Sequence, residues 1–362
     1  MTITGKGTNV RPLAPGRCAR LMVADIDGGR PRLVYETRDS ALEAPNWSPD
    51  GRWLVFNQDG LLLRVPAPAG EAAGPEGAAG PEAGAGREAG AEAAGEARAR
   101  AAAAPEAGAG AGAGRAGYGP EVIDRGPEVI DSGGITDANN DHLLSPDGRT
   151  LYLSAGDGHI HAVPFEGGPA RRVTNDHAPG PFRHFLHGIS PDGRTLAYVG
   201  VEPYGGDDWG YRNIFTIPAA GGPDTRLTDS PAPADGPEFG PDGDWIYFNS
   251  EHGAAAPGHA QLFRMRPDGS GLTRLTSDER VNWFPHPSPD GRHILYVSFP
   301  PGTQGHPADR EVILRRIEPD GGTPRDVLTL FGGQGTLNVN SWAPDSRRFA
   351  YVDYPVHSLA TP

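Results

Sequence analysis

One short phrase recurs along this chain. Ser48-Pro-Asp-Gly51 runs into WLVFN, Ser145-Pro-Asp-Gly148 into TLYLS, and Ser190-Pro-Asp-Gly193 into TLAYV. Gly240-Pro-Asp-Gly243 then precedes WIYFN, Ser288-Pro-Asp-Gly291 precedes ILYVS, and Ala343-Pro-Asp-Ser346 precedes RFAYV. Proline presets φ at the second turn position, Asp bonds its own local backbone, and Gly accepts φ > 0. The residues that follow alternate and are rich in aromatic and β-branched types, as in a half-buried strand. Each copy is therefore a tight turn between two antiparallel strands. The copies begin at 48, 145, 190, 240, 288 and 343. A period of ~40–50 residues with four short strands matches one blade of a β-propeller. Only the first interval is too long, and removing residues 67–117 restores the period.

The order inside a blade is legible too. After Ser190 a strand runs Thr195–Gly200, another covers Asn213–Pro218, a Gly221-Gly222 turn follows, and Thr225-Arg-Leu-Thr228 closes the unit. Similar tails occupy 159–174, 262–276 and 313–328. After the last copy only one more strand, FAYVDY, is legible, so that blade is expected to lack its outer strands. The amino-terminal part offers Leu21–Ile26 and Arg32–Glu36, two strands with no inner pair. Joining the two ends completes a sixth blade and removes open sheet edges. The expectation is an all-β, six-bladed propeller over 18–357, preceded by a flexible segment over 1–17.

Residues 67–117 contain only Ala, Gly, Pro, Glu and Arg. Nothing there can offset the entropy of ordering, so the segment reads as a disordered surface insertion. It is followed by a duplication, Gly119–Asp124 and Gly126–Asp131, of which one copy suffices for the outer strand of the first blade.

The net charge of −14 disfavours nucleic acid and anionic membranes as partners. One cysteine, Cys18, rules out an intrachain disulfide framework, and no run resembles a leader or a membrane span. A cytoplasmic protein is expected, and ring closure within one chain suggests a monomer. There is no Walker A motif, no G-x-G-x-x-G after a strand and no G-x-S-x-G elbow.

The SPDG-plus-strand repeat with its "GGxxRLT" tails resembles the propeller of TolB and of the TolB-like family, across 18–357 outside the insertion. The phrases NNDH (139–142), DGPEFGPDG (235–243), NWFPHPSPDG (282–291), GHP (305–307) and LFGGQG (330–335) are similar to a cytosolic, stand-alone subgroup. The resemblance implies the fold. It does not fix function, because this propeller family includes translocation scaffolds, gating domains of prolyl oligopeptidase-type peptidases and oligogalacturonate lyases. The envelope and peptidase roles go with extra domains not found in this sequence.

The strand before each turn is expected to line the axis, where small or apolar residues would be ordinary. Here stand Asn46; Asn139, Asn140, Asp141 and His142; His184 and His187; Asp235 and Glu238; Asn282 and His286; Asn338 and Asn340. Six polar positions around one axis converge on a small volume. His306 and Gln334 lie on loops that could reach its mouth, as could Glu251, His252 and Gln261. His142, His187 and His286 form a candidate divalent-metal set, with Asp141 or Glu238 as carboxylate ligand or orienter. Trp47, Trp245, Trp283 and Trp342 have the spacing of blade packing, whereas Trp209 in a loop could stack on a sugar.

Two readings stay open at this stage. In one, the propeller binds a small molecule, peptide, protein or glycan fragment at the channel mouth. In the other, suggested by the lyases, it is a metal-assisted carbohydrate-active enzyme. His187 or His142 would then take the proton α to a carboxylate, and the other histidines with Gln334 would hold the cation.

Overall fold

The computed structural model describes residues 11–69, 126–177, 180–204 and 206–356. Most of the insertion and the first copy of the duplication, 119–124, lie outside the described residues. The described chain is built from strands, and they form six antiparallel sheets. Blade 1 runs outward through Leu42–Trp47, Trp53–Gln58, Leu61–Pro66 and Glu128–Val129. Its outer strand comes from the second duplicated copy, with Val129 opposite Leu63. Blade 2 is Ala138–Leu144, Thr150–Ala155, Ile160–Pro164 and Arg171–Arg172. Blade 3 is Arg183–Ile189, Thr195–Tyr204, Asp207–Pro218 and Thr225–Arg226. Blade 4 is Ala234–Phe239, Ile246–Ser250, Gln261–Met265 and Thr273–Arg274, and blade 5 is Val281–Pro287, Ile294–Phe299, Ala308–Glu318 and Gly321–Gly333.

Blade 6 is shared by the two ends, as the repeat requires. Arg348–Asp353 pairs with Ala19–Asp25, which pairs with Arg32–Thr37. A bridge between Trp342 and Phe349 supplies the inner position. Arg20 clasps Asp353 across the seam through two bonds of 2.9 and 2.5 Å. Residues 11–17 of the segment expected to be flexible are tied to the ring. Arg11 donates to Glu43 at 2.8 Å and to the Gln334 carbonyl at 2.7 Å, and the remainder, 1–10, lies outside the described residues.

The repeated turn explains itself locally. In blade 5 Ser288 Oγ donates to Asp290 at 2.6 Å and accepts from the His293 amide at 3.0 Å, while the Gly291 amide bonds the Ser288 carbonyl. Ser48, Ser145 and Ser190 repeat this arrangement. The turns also stack round the ring. A methyl group added to Gly148 would lie 3.7 Å from Pro49, one on Gly193 3.4 Å from Pro146, and one on Gly243 3.5 Å from Pro191. The RLT tails have a matching role: Thr174, Thr228 and Thr276 each accept an amide bond from the third strand of their blade at 2.9–3.0 Å.

Between blades the strands bury Tyr198, Tyr296, Phe56, Phe248, Phe299 and Phe349 almost completely. Each such ring contributes about 1.5–3 kcal/mol relative to exposure. Trp47, Trp283 and Trp342 are buried as the spacing predicts. Trp245 is instead half-buried between the guanidinium groups of Arg264 and Arg266, 4.1 and 3.9 Å from its ring.

Candidate functional site

Every inner strand from blade 1 to blade 5 breaks its pairing register before the turn. Such bulges re-aim side chains and are common beside functional sites. At three of them the chain turns through the left-handed region just before a proline: Ala44 (φ 56°), Gly236 (φ 62°) and Phe284 (φ 55°). For a bulky residue like Phe284 this backbone is strained.

The polar positions divide between two openings at opposite ends of these inner strands. Residues before and at the bulges line a cavity of about 110 Å³, here called the upper cavity. Residues after them, with the six proline turns, line a funnel of about 410 Å³. His187 lines both and sits at the waist.

In the upper cavity His187 stands between two acids. Its Nε2 lies 3.4 Å from Asp235 and 3.9 Å from Asp141, and its Nδ1 faces the Asn338 carbonyl at 3.3 Å. A carbonyl and a carboxylate only accept, so this geometry asks for a proton on both ring nitrogens. Burial works against the His187 cation, but Asp141 and Asp235 outweigh it and hold its pKa above the ordinary value. Burial likewise opposes the Asp235 carboxylate, and His187 overcomes it, so Asp235 falls below the usual range. Burial dominates at Asp141 and pushes its carboxyl up to about 6, despite His187 and the bond from Asn139 at 2.8 Å.

Across the cavity His306 Nδ1 meets the Gln334 side-chain oxygen, which fixes the proton on Nδ1 and leaves the Nε2 lone pair. Burial holds this ring neutral, with its pKa below the ordinary value. Phe284 stacks on His187 at 5.6 Å and meets His306 edge-on at 5.0 Å. Phe185 and Trp209 complete the aromatic wall, stacked at 5.4 Å, and Trp209 is 49% exposed at the rim. Asn140 also faces the cavity. It is only 8% exposed, and its side-chain amide has no hydrogen-bond partner among the described residues.

The funnel has a different character. Prolines 49, 146, 191, 241, 289 and 344 ring it, and Asn46, Glu238 and Asn340 lie at its base. Asn46 donates to the Asn340 carbonyl at 2.7 Å, and Asn340 donates to Glu238. Glu238 also holds His286 Nδ1 at 2.5 Å, and His286 Nε2 bonds the Leu337 carbonyl at 3.1 Å.

The expected single mouth is thus two. Asn139, Asn140, Asp141, His187, Asp235, His306, Gln334 and Asn338 share the upper cavity, whereas Asn46, Glu238 and Asn340 share the funnel. His286 supports the funnel from behind. Other candidates are blade fasteners. Asn282 is fully buried among Ser298, Asp278, Thr276 and Gln261, and Gln261 caps the Arg280 carbonyl. Glu251 accepts the Gly258 amide at 2.8 Å within its own loop, and His252 lies edge-on to Phe263. His184 packs among His159, His177 and Tyr198 in the blade interior.

His142 is fully buried and lines neither opening. Burial drives its pKa down to about 4. The proposed metal set does not assemble: among the described residues no three histidine, cysteine or acidic side chains are gathered to hold an ion. Phe185 and Phe284 are the site residues that sequence reasoning passed over. The signal for Phe284 was its place before Pro285, matching Ala44-Pro45 and Gly236-Pro237.

Residues 185–318 match the model of the TolB β-propeller domain. An uncharacterized protein of Agrobacterium fabrum is 33% identical over 355 residues, covering 97% of this chain and 95% of that protein. A solved structure assigned provisionally as TolB from Agrobacterium tumefaciens superposes with a TM-score of 0.71 at 33% identity, covering 94% of this chain and 99% of that one. TolB from Acinetobacter baumannii, at 16% identity and a TM-score of 0.55, shares the fold over 90% of this chain and 66% of its own.

Proposed function

Because the chain belongs to the TolB-like β-propeller family, we propose that it is a recognition module whose ligand enters the upper cavity beside His187. The ligand is a small molecule or the tip of a peptide or glycan, since about 110 Å³ admits only a compact group. One observation carries this reading. His187 is committed at both ring nitrogens, while the Asn140 amide, in a half-open space with aromatic walls, bonds nothing among the described residues. An amide that lines a pocket without a partner among the described residues is what a ligand would satisfy. A histidine locked between a carboxylate and a carbonyl has no lone pair for proton abstraction. His187 is therefore a fixed charge in this reading and not a base.

A thermal-shift screen of peptides, oligosaccharides and small metabolites tests it. The wild-type chain should be stabilised by at least one class, and an Asn140→Leu/Gln334→Leu variant should lose that shift. A library that stabilises both proteins equally, or neither, would overturn the proposal.

A further inference from the structure

The upper cavity has a lopsided chemistry that narrows its ligand. Three residues that line it carry acceptors with capacity to spare. Asp141 Oδ2 accepts from Asn139, but its Oδ1 lies 3.9 Å from His187, beyond hydrogen-bond distance. Asp235 Oδ1 accepts the Gly236 amide at 2.8 Å, and its Oδ2 makes no bond to a described residue. The third acceptor is the Nε2 lone pair that Gln334 leaves on His306. Phe185, Phe284 and Trp209 present ring surface to the same space.

From this arrangement we infer that the upper cavity is a seat for a primary ammonium group, R–NH₃⁺, carried by a small molecule. An ammonium has three N–H donors and no acceptor, which matches a cavity whose lining offers three spare acceptors. Aromatic rings attract such a cation wherever a face or edge is left open beside their existing stacks, Phe284 on His187 and Phe185 on Trp209. In the innermost shell two carboxylates face one imidazolium, leaving one negative charge for the guest. Further out, Glu43 is paired with Arg11 at 2.8 Å, Arg183 lies over the Trp209 ring at 4.8 Å, and Arg212 acts on both Asp235 and His306. The inference rests on the recognition role proposed above, and adds to it the charge and donor pattern of the ligand. It also disfavours uronates and other anions in this cavity, since its one imidazolium already faces two carboxylates.

Protons compete with the guest. Asp141 faces His187, Asp235 and, more distantly, Glu43, and takes up a proton near pH 6. A protonated Asp141 offers less to a cation, so amine binding should weaken as the pH falls below about 6.

Isothermal titration of the full chain at pH 7.5 with n-butylammonium, glucosamine, glucose and butyrate decides the matter. Both amines should bind, with glucose and butyrate at least tenfold weaker. Asp141→Asn should cost the amines tenfold or more, and Asp235→Asn provides the same test if the first variant does not fold. Amine affinity at pH 5 should be severalfold below that at pH 7.5. The ranking of butylammonium against glucosamine then separates an aliphatic amine from an amino sugar. If glucose binds as tightly as glucosamine and changes Trp209 emission, the ammonium inference falls and the recognition role stands. If neither amine binds, the ammonium inference falls outright, and the library screen judges the recognition role independently.

Discussion

His187 and Asn338 meet across the propeller axis: the imidazole of blade 3 donates from Nδ1 to the Asn338 carbonyl, 3.3 Å away, on the segment entering blade 6. In a six-bladed ring these blades face each other. The bond therefore spans the channel at the level where His187 lines both the upper cavity and the funnel. It also sets the histidine that the two acids depend on.

Replacing His187 by leucine should destabilise the fold by about 3–5 kcal/mol, because Asp141 and Asp235 lose the cation that offsets their burial. His187→Gln keeps a donor and should cost less. Urea unfolding at pH 7.5 distinguishes them, and equal midpoints for wild type and the leucine variant would contradict the assigned ion pair.

Stability should fall as pH drops from about 6.5 to 4. Burial depresses His142 and His184 to about 4, so both are neutral when folded but protonate in the unfolded chain below its ordinary value near 6.5. Each costs on the order of 3 kcal/mol by pH 4. Asp141 acts oppositely: raised to about 6, it binds its proton more tightly when folded and gains stability as pH falls towards 4. Asp141→Asn should therefore steepen the acid loss, and unfolding curves at pH 7, 5.5 and 4.5 measure it.

Weakening the seam between the chain ends should lower the stability of the whole ring. Arg20→Gln removes the two-pronged clasp on Asp353 and should cost about 1.5–3 kcal/mol. Cooperative urea unfolding with an unchanged slope but a lower midpoint is the expected result.

The repeated turn gives a graded test. Ser288→Ala loses the bonds to Asp290 and to the His293 amide and should cost about 1 kcal/mol. Blade 4 carries Gly240 at this place and still closes its turn through the Gly243 amide at 2.9 Å, so the loss should not unfold the blade. Ser190→Ala combined with Ser288→Ala should be close to additive, because the turns lie in separate blades.

The six-fold architecture was legible because a Pro-Asp-Gly turn is a local event, fixed by three residues that need no distant partner. Blade closure followed from counting strands at the two ends. The site was only half legible. Several of the polar residues ahead of the turns line the two openings, and His306 and Gln334 line the upper cavity. The division into two openings could not be read, because the bulge at Phe284 and its counterparts changes which way neighbouring side chains point. The metal set failed for a related reason. His142, His187 and His286 hold similar places in the repeat, yet one is sealed between blades and two are already engaged by carboxylates and carbonyls. Arg11 was missed because nothing local shows that a residue near the start will reach Gln334.

The most direct measurement is a crystal structure of the full chain soaked with n-butylammonium at pH 7.5. The account predicts ordered density beside Trp209, with the nitrogen within hydrogen-bond distance of Asp141, Asp235 and His306. Density only in the proline-ringed funnel, with the upper cavity holding water alone, would contradict it.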